Sequence, residues 1–312
     1  MSNIAYYMSI EKRLPNYLKS CDKHKKRENY CLKNSWNTTY SIKSYLENPD
    51  TVAELKSLNC TKLVQPAYDL LKSNMIPIAS DAKWKDNPFG AASTLGKSGC
   101  MAFCTYNTLL LANLPYPPLL TFSEVTKLLV THGYCLWKFA KDPQNEVLNL
   151  PRLANEPIIL SNLKEIYHDS KEMQYCVNLE EVYSILGNPV DIGGSPYFMD
   201  ELFALMPIQT WSKPEVNKEP KLKYKHYRDT RISNISTIFK NLKNEVPVPV
   251  RLQEKNNGHY VVLIGFEYGS AVYIDSSSPD PICRMPAEDF LNKVADGKPG
   301  FAGIAFDVSA LV

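Results

Sequence analysis

The most constraining stretch of this 312-residue chain is an apolar run that begins with a cysteine. Residues 100–112 contain neither Gly nor Pro, and Asn113 and Pro115 end the run, which predicts a buried helix of about three turns. Cys100 falls in its first turn, where unpaired backbone N–H groups and the helix dipole favour an anion such as a thiolate. The stretch therefore predicts a nucleophilic cysteine or, as is usual for intracellular cysteines, a small buried side chain.

The composition is that of an ordinary globular protein. Hydrophobic residues make up 44%, charged residues 22%, and the net charge is +2, so the charge favours neither nucleic acid nor an acidic partner. No window of about 18 apolar residues occurs, and the first residues lack the pattern of a signal peptide. The eight cysteines are scattered and are expected to be free thiols. We therefore expect a cytoplasmic protein that binds neither nucleic acid nor membranes.

The character of the sequence changes near residue 76. Residues 1–75 contain no glycine, carry 12 basic against 7 acidic side chains, and show helical periodicity, for example over 50–58. This predicts a helical N-terminal region, followed by a larger domain over 76–312 that opens with a short strand at 76–79. The last third is rich in predicted strands, and the polar stretch near 213–232 indicates an exposed insertion.

A predicted β-hairpin in the last third supplies partners for the cysteine. One strand begins at His259, a turn follows at Gly269, and the returning strand ends at Asp275. His259 and Asp275 are therefore expected to be neighbours. The carboxylate would orient the imidazole while its other nitrogen faces a thiol, as a cysteine nucleophile requires. The alternative is that both are ordinary polar residues at a strand edge and a turn.

The sequence around these residues resembles a known family, the papain-like peptidases related to the double-glycine leader peptidases of bacteriocin exporters. The resemblance extends over about residues 76–312 and is most specific near its two ends. The matching features, in chain order, are Asp81, Trp84, Gly90, Thr94-Leu95-Gly96, Ser98-Gly99-Cys100, Cys104, the run Gly258 to Gly265, and the hairpin to Asp275.

This resemblance implies an α+β papain-like fold, with a Cys-bearing helix packed on an antiparallel sheet that carries the His and the Asp. It implies Cys100 as the nucleophile, His259 as the general base and acid, and Asp275 as the orienting carboxylate. The family usually has Gly after the nucleophile, where this chain has Met101. It also often has Pro after the Asp, where this chain has Ser276.

The third departure concerns the oxyanion hole. Papain-like enzymes commonly carry a Gln six residues before the cysteine, and Thr94 occupies that position here. Loss of one such donor lowers the rate by roughly a hundredfold or more. Thr94 is therefore the oxyanion-hole candidate, together with the Cys100 backbone N–H, and Ser80 is the upstream alternative.

The sequence thus predicts a cysteine peptidase or amidase that cleaves a peptide or protein substrate through a Cys100 thioester, without metal or organic cofactor. Three alternatives stay open. The domain could be a catalytically silent peptide-binding module, which the departures at Met101 and Thr94 favour, or an acyltransferase with the same triad. A metal site formed by Cys100, Cys104, His259 and Asp275 is disfavoured, because one thiol would have to leave the core.

Overall fold

The protein is described by a computed structural model. It describes residues 3–17, 19–20, 23, 38–90, 93–114, 117–142, 156–206, 223–226, 232–254, 257–295 and 303–307. Helices and antiparallel strands are mixed along this part of the chain, which confirms the α+β class. Among the described residues, no helix is both long enough and apolar enough to cross a membrane.

The helices are distributed from the N-terminus to the last third of the chain. They are α1 (Asn3–Arg13), α2 (Thr38–Leu46), α3 (Pro49–Ser57), α4 (Val64–Lys72), α5 (Leu95–Ser98), α6 (Cys100–Ala112), α7 (Phe122–Thr131), α8 (Glu156–Ile166), α9 (Lys171–Gln174), α10 (Leu179–Leu186), α11 (Tyr197–Leu205), α12 (Ile232–Lys243) and α13 (Ala287–Ala295).

Among the described residues, the strands form one larger antiparallel sheet and three two-stranded ones. They are β1 (Asn59–Cys60), β2 (Pro88–Phe89), β3 (Ser93–Thr94), β4 (Cys135–Phe139), β5 (Pro189–Gly194), β6 (Lys223–His226), β7 (Val248–Glu254), β8 (Asn257–Glu267), β9 (Ser270–Ile274), β10 (Ile282–Pro286) and β11 (Ile304–Asp307). In the five-stranded sheet the order is β1-β8-β9-β10, and β7 also pairs with β8. The small sheets pair β2 with β3, β4 with β5, and β6 with β11.

The hairpin of β8 and β9 is the predicted one. Its turn residues are Tyr268 and Gly269, at φ 46° and 82°, and positive φ at both central positions suits the twist of a two-residue hairpin. The register pairs Val262 with Ile274, and a bulge lies between Leu263 and Gly265. The hairpin therefore brings the first residues of β8 close to the end of β9.

Helix α6 is the predicted buried helix and packs on β8. From Met101 to its last residue, every side chain except that of Tyr106 is buried. Because the helix is apolar on nearly all sides, it needs cover from several elements, which also include α7 and β5. The hydroxyls of Thr105 and Thr108 are satisfied by the carbonyls of the preceding turn.

The described parts of the N-terminal region are mostly helical, with strand β1 between α3 and α4, and the region shares the core of the later residues. Ile10, Ile42 and Leu55 belong to the same buried cluster as the residues of α6 and β8. Strand β1 adds to the central sheet, with Cys60 opposite Phe266. The described residues before and after residue 76 are therefore joined by one hydrophobic core.

Two expectations need correction or restriction. Residues 76–79, predicted as a strand, have no strand structure; instead the Ala79 N–H donates to the Ser276 carbonyl at 2.7 Å. Of the predicted insertion at 213–232, only residues 223–226 and the first residue of α12 are described. Residues 223–226 form strand β6, which pairs with β11. The rest of the stretch lies outside the described residues.

Replacing Gly265 by Ala should destabilise the central sheet, because a Cβ at Gly265 would clash with the Cys60 carbonyl oxygen of β1. Backbone atoms yield little, so we expect a loss of about 2 kcal/mol in the free energy of unfolding. Guanidinium denaturation measures this loss. Val177→Ala is the control, since Val177 lies outside the central sheet and is 72% exposed, and it should change stability by less than about 0.5 kcal/mol. Equal effects of the two substitutions would contradict the tight β1–β8 contact.

Candidate functional site

Cys100 lies at the start of α6, immediately after the short helix α5. The two helices meet at Gly99, where a Cβ would lie 2.5 Å from the Leu95 carbonyl oxygen, so the junction leaves no room for a larger residue. Cys100 is only partly buried, whereas the rest of its helix, apart from Tyr106, lies in the core. The thiol is thus held at a helix N-terminus and remains accessible.

The structure brings His259 and Asp275 together as the hairpin predicts. His259 Nε2 and Asp275 Oδ1 are 2.7 Å apart, and their side chains are only 16% and 19% exposed. The same Oδ1 accepts the Ser277 backbone N–H at 2.8 Å. Burial raises the pKa of Asp275, but the hydrogen bond and charge of His259 and the N–H groups of Ser277 and Ser278 outweigh it. The net effect lowers the pKa, so the carboxylate is ionised near neutral pH.

Cys100 is the second hydrogen-bonding partner of the His259 imidazole. Because Nε2 is bound to Asp275, Nδ1 is the ring nitrogen left for the thiol. Burial lowers the pKa of His259, but hydrogen bonds to Asp275 and Cys100, together with their charges, outweigh burial and raise the pKa to about 10. The arrangement therefore favours the protonated, charged form of the imidazole.

Cys104, one turn further along α6, has a different environment. It is 2% exposed, and its thiol donates to the Val261 carbonyl oxygen at 3.3 Å. Burial raises the pKa of this thiol well above its usual range, and the charge of Cys100 adds to the effect. Cys104 therefore stays a neutral core thiol. Among the described residues, no group of three or more His, Cys, Asp or Glu side chains is placed to hold a metal ion.

The side chain of Met101 lies in the core. It is fully buried and packs against Gly194 at the end of β5, where an added Cβ would lie 2.6 Å from the Cβ of Met101. The absence of a side chain at position 194 therefore makes room for the side chain of Met101.

The oxyanion-hole candidate is less well defined by its contacts. Thr94 ends β3, pairs with Pro88 of β2, and is half-buried. Its side chain makes no capping hydrogen bond to α5, the helix that it precedes. Ser80, the upstream alternative, is exposed. The role of either residue as a donor stays a prediction.

Sequence reasoning missed two residues beside the site, Gly194 and Asn107. Asn107 is fully buried in α6, and its Nδ2 donates to the Ser276 hydroxyl at 2.9 Å. A signal was present, because Asn107 is the one amide side chain in the apolar run of α6 and lies about two helical turns from Cys100. Gly194 gave no such signal, since its contact with Met101 joins elements far apart in sequence.

Comparisons with known proteins give no additional guide to the site. No family model, no curated protein and no solved structure matches the chain. The interpretation of function therefore depends on the residues and contacts described above.

The His259–Asp275 pair should make the protein less stable as the pH rises above neutral. The folded-state pKa of His259, about 10, exceeds the value of about 6.5 expected in the unfolded chain. Its contribution is therefore fully present below about pH 6.5 and is lost as the pH rises through about 10. Asp275→Asn should flatten this decline, measured as the free energy of unfolding between pH 6 and pH 10.

His168 provides the matched control. It also lies beside a carboxylate, that of Asp169 at 3.1 Å, but both side chains are largely exposed. Solvent screens such pairs, so His168→Gln should leave the pH dependence unchanged. If Asp275→Asn gave the wild-type pH dependence as well, the buried pair would not contribute to stability as described.

Proposed function

We propose that the protein is a cysteine peptidase or amidase with Cys100 as its nucleophile. The observation that carries the proposal is the convergence of a thiol from α6, an imidazole from β8 and a carboxylate from the end of β9. A thiol, a base beside it and a group that orients the base are the parts of a thiol hydrolase. A papain-like fold is part of the same proposal, because the Cys-bearing helix packs on the antiparallel sheet that carries His259 and Asp275.

In the proposed reaction, the Cys100 thiolate attacks the carbonyl carbon of a peptide or amide bond and forms a C–S bond. His259, protonated at the nitrogen that faces the thiol, gives this proton to the leaving amine nitrogen as the C–N bond breaks. The product is a Cys100 thioester. His259 then takes a proton from water, the resulting hydroxide attacks the thioester, and the free thiolate and an acid are released. Asp275 stays ionised and holds the ring.

The negative charge that develops on the carbonyl oxygen needs donors. The backbone N–H of Cys100 is in the first turn of α6, where N–H groups lack intrahelical partners and the dipole favours an anion. We assign Thr94 as the second donor, as its position relative to the cysteine suggests. No metal or organic cofactor is required, and the substrate class is a peptide or protein. A cytoplasmic location remains a prediction from the sequence.

Of the two departures that favoured a catalytically silent peptide-binding module, the one at Met101 carries less weight. The departure at Met101 favoured a silent domain, but the Met101 side chain is accommodated in the core against Gly194. The change at Thr94 still favours a silent domain. The acyltransferase alternative shares the whole triad with the peptidase, so the two differ only in whether water or an amine takes the acyl group.

The first test is alkylation of the native protein with limiting iodoacetamide at pH 6, located by peptide mass spectrometry. Thiolates react and thiols do not, so Cys100 should be labelled at least about tenfold faster than other cysteines, and His259→Ala should abolish the advantage. Cys283 is the internal control, because it is also partly buried, while burial raises the pKa of its thiol. Labelling of Cys100 no faster than that of Cys283 would overturn the proposal.

The second test is cleavage of a mixture of peptides, with Cys100→Ala as the inactive control. Release of a free carboxyl product by the wild type alone supports hydrolysis. Transfer to an added amine, with little free acid, identifies an acyltransferase. A reactive Cys100 that binds peptides without changing them would identify the silent binding module instead.

A further inference from the structure

Three residues of α6 contact the sheet or its loops at successive turns of the helix. They lie on one face of α6, because residues three and four apart in a helix share a face. The contacts are those of Cys100 with the imidazole of His259, of Cys104 Sγ with the Val261 carbonyl oxygen at 3.3 Å, and of Asn107 Nδ2 with the Ser276 hydroxyl at 2.9 Å.

The third contact reaches the turn that carries the orienting carboxylate. Ser276 follows Asp275 directly, and its carbonyl oxygen accepts the Ala79 N–H at 2.7 Å. The Asp275 N–H in turn donates to the Pro281 carbonyl oxygen at 2.8 Å. The turn is thus held on several sides, and Asn107 supplies the hydrogen bond that joins it to the helix of Cys100.

The burial of Asn107 is not explained by packing alone. Its side chain is 0% exposed, and its Oδ1 has no hydrogen-bond partner among the described residues. A buried amide with an unsatisfied acceptor destabilises a fold, whereas an apolar side chain of similar shape would not. Asn107 therefore lowers the free energy of unfolding relative to an apolar side chain of similar shape. The hydroxyl to which it donates belongs to Ser276, the residue directly after Asp275.

We propose that Asn107 is a positioning residue, which holds the Asp275 turn in register with α6 so that thiol, imidazole and carboxylate stay aligned. The inference rests on the function proposed above. It also gives Ser276 a role, since a proline at that position would lack the hydroxyl that Asn107 contacts. A displacement of about 1 Å between reacting groups lowers rates by roughly a hundredfold, so a single buried hydrogen bond of this kind matters.

The test measures the alignment of His259 with Asp275 without using the activity of Cys100. In a Cys100→Ala background, the protonation of His259 is followed against pH by NMR of its ring nitrogens. Asn107→Ala should lower the titration midpoint by about 1 pH unit, because the carboxylate that stabilises the imidazolium is displaced. Ser276→Ala removes the other partner of the same bond without altering α6 and should have the same effect.

Asn113→Ala is the matched control. Asn113 is also a buried asparagine at α6, but its side chain donates to the Leu109 carbonyl of the helix. It should leave the midpoint unchanged. The double variant Asn107→Ala/Ser276→Ala should shift the midpoint no further than either single variant, since both remove one bond.

Midpoints for Asn107→Ala and Ser276→Ala that equal that of Asn113→Ala would overturn the positioning role. Failure of the proposed function would be recognised separately, as unselective alkylation of the protein with Cys100 intact. The titration does not depend on that result, because its background lacks the thiol.

Discussion

The packing of α6 on β8 is the constraint from which the candidate site follows. A helix that is apolar on nearly every side is covered almost completely, and only Cys100 at its start and Tyr106 stay partly accessible. The strand against which the helix packs begins with the residues around His259, and the hairpin register brings Asp275 beside them. The geometry of the three side chains is therefore set by core packing and strand pairing, which belong to the most rigid parts of a fold.

The two cysteines of α6 show how environment decides the chemistry of one residue type. Cys104 is enclosed by the core and bound to a carbonyl, so ionisation is disfavoured. Cys100 faces an imidazole whose pKa is raised to about 10 because, despite burial, a carboxylate and the thiol both stabilise its charged form. A carboxylate behind the imidazole thus favours the protonated form of His259 beside Cys100. The N-terminal end of α6, where Cys100 lies, favours a negative charge.

The helix and the hairpin that form this site could be predicted from the sequence. The contacts between them could be predicted only in part. The helix of Cys100 and the hairpin of β8 and β9 have strong periodic and turn signals, and the hairpin alone places His259 beside Asp275. The two-residue strand β1 has no such signal, since its pairing depends on β8. Residues 76–79 have the composition of a strand, yet the backbone N–H of Ala79 donates to the Ser276 carbonyl oxygen in a loop instead of to a neighbouring strand. Such tertiary contacts override local propensity.

The departures from the papain-like pattern differ in how far the surrounding structure accommodates them. Gly194 has no side chain and so leaves room for that of Met101. The hydroxyl of Ser276 accepts a hydrogen bond from Asn107 Nδ2. In both cases the partner lies far away in the chain, so neither match is visible in the local sequence. Thr94 has no described partner of this kind. A hydroxyl is a donor on a shorter side chain than an amide, so the proposed activity depends most on whether Thr94 reaches the oxyanion.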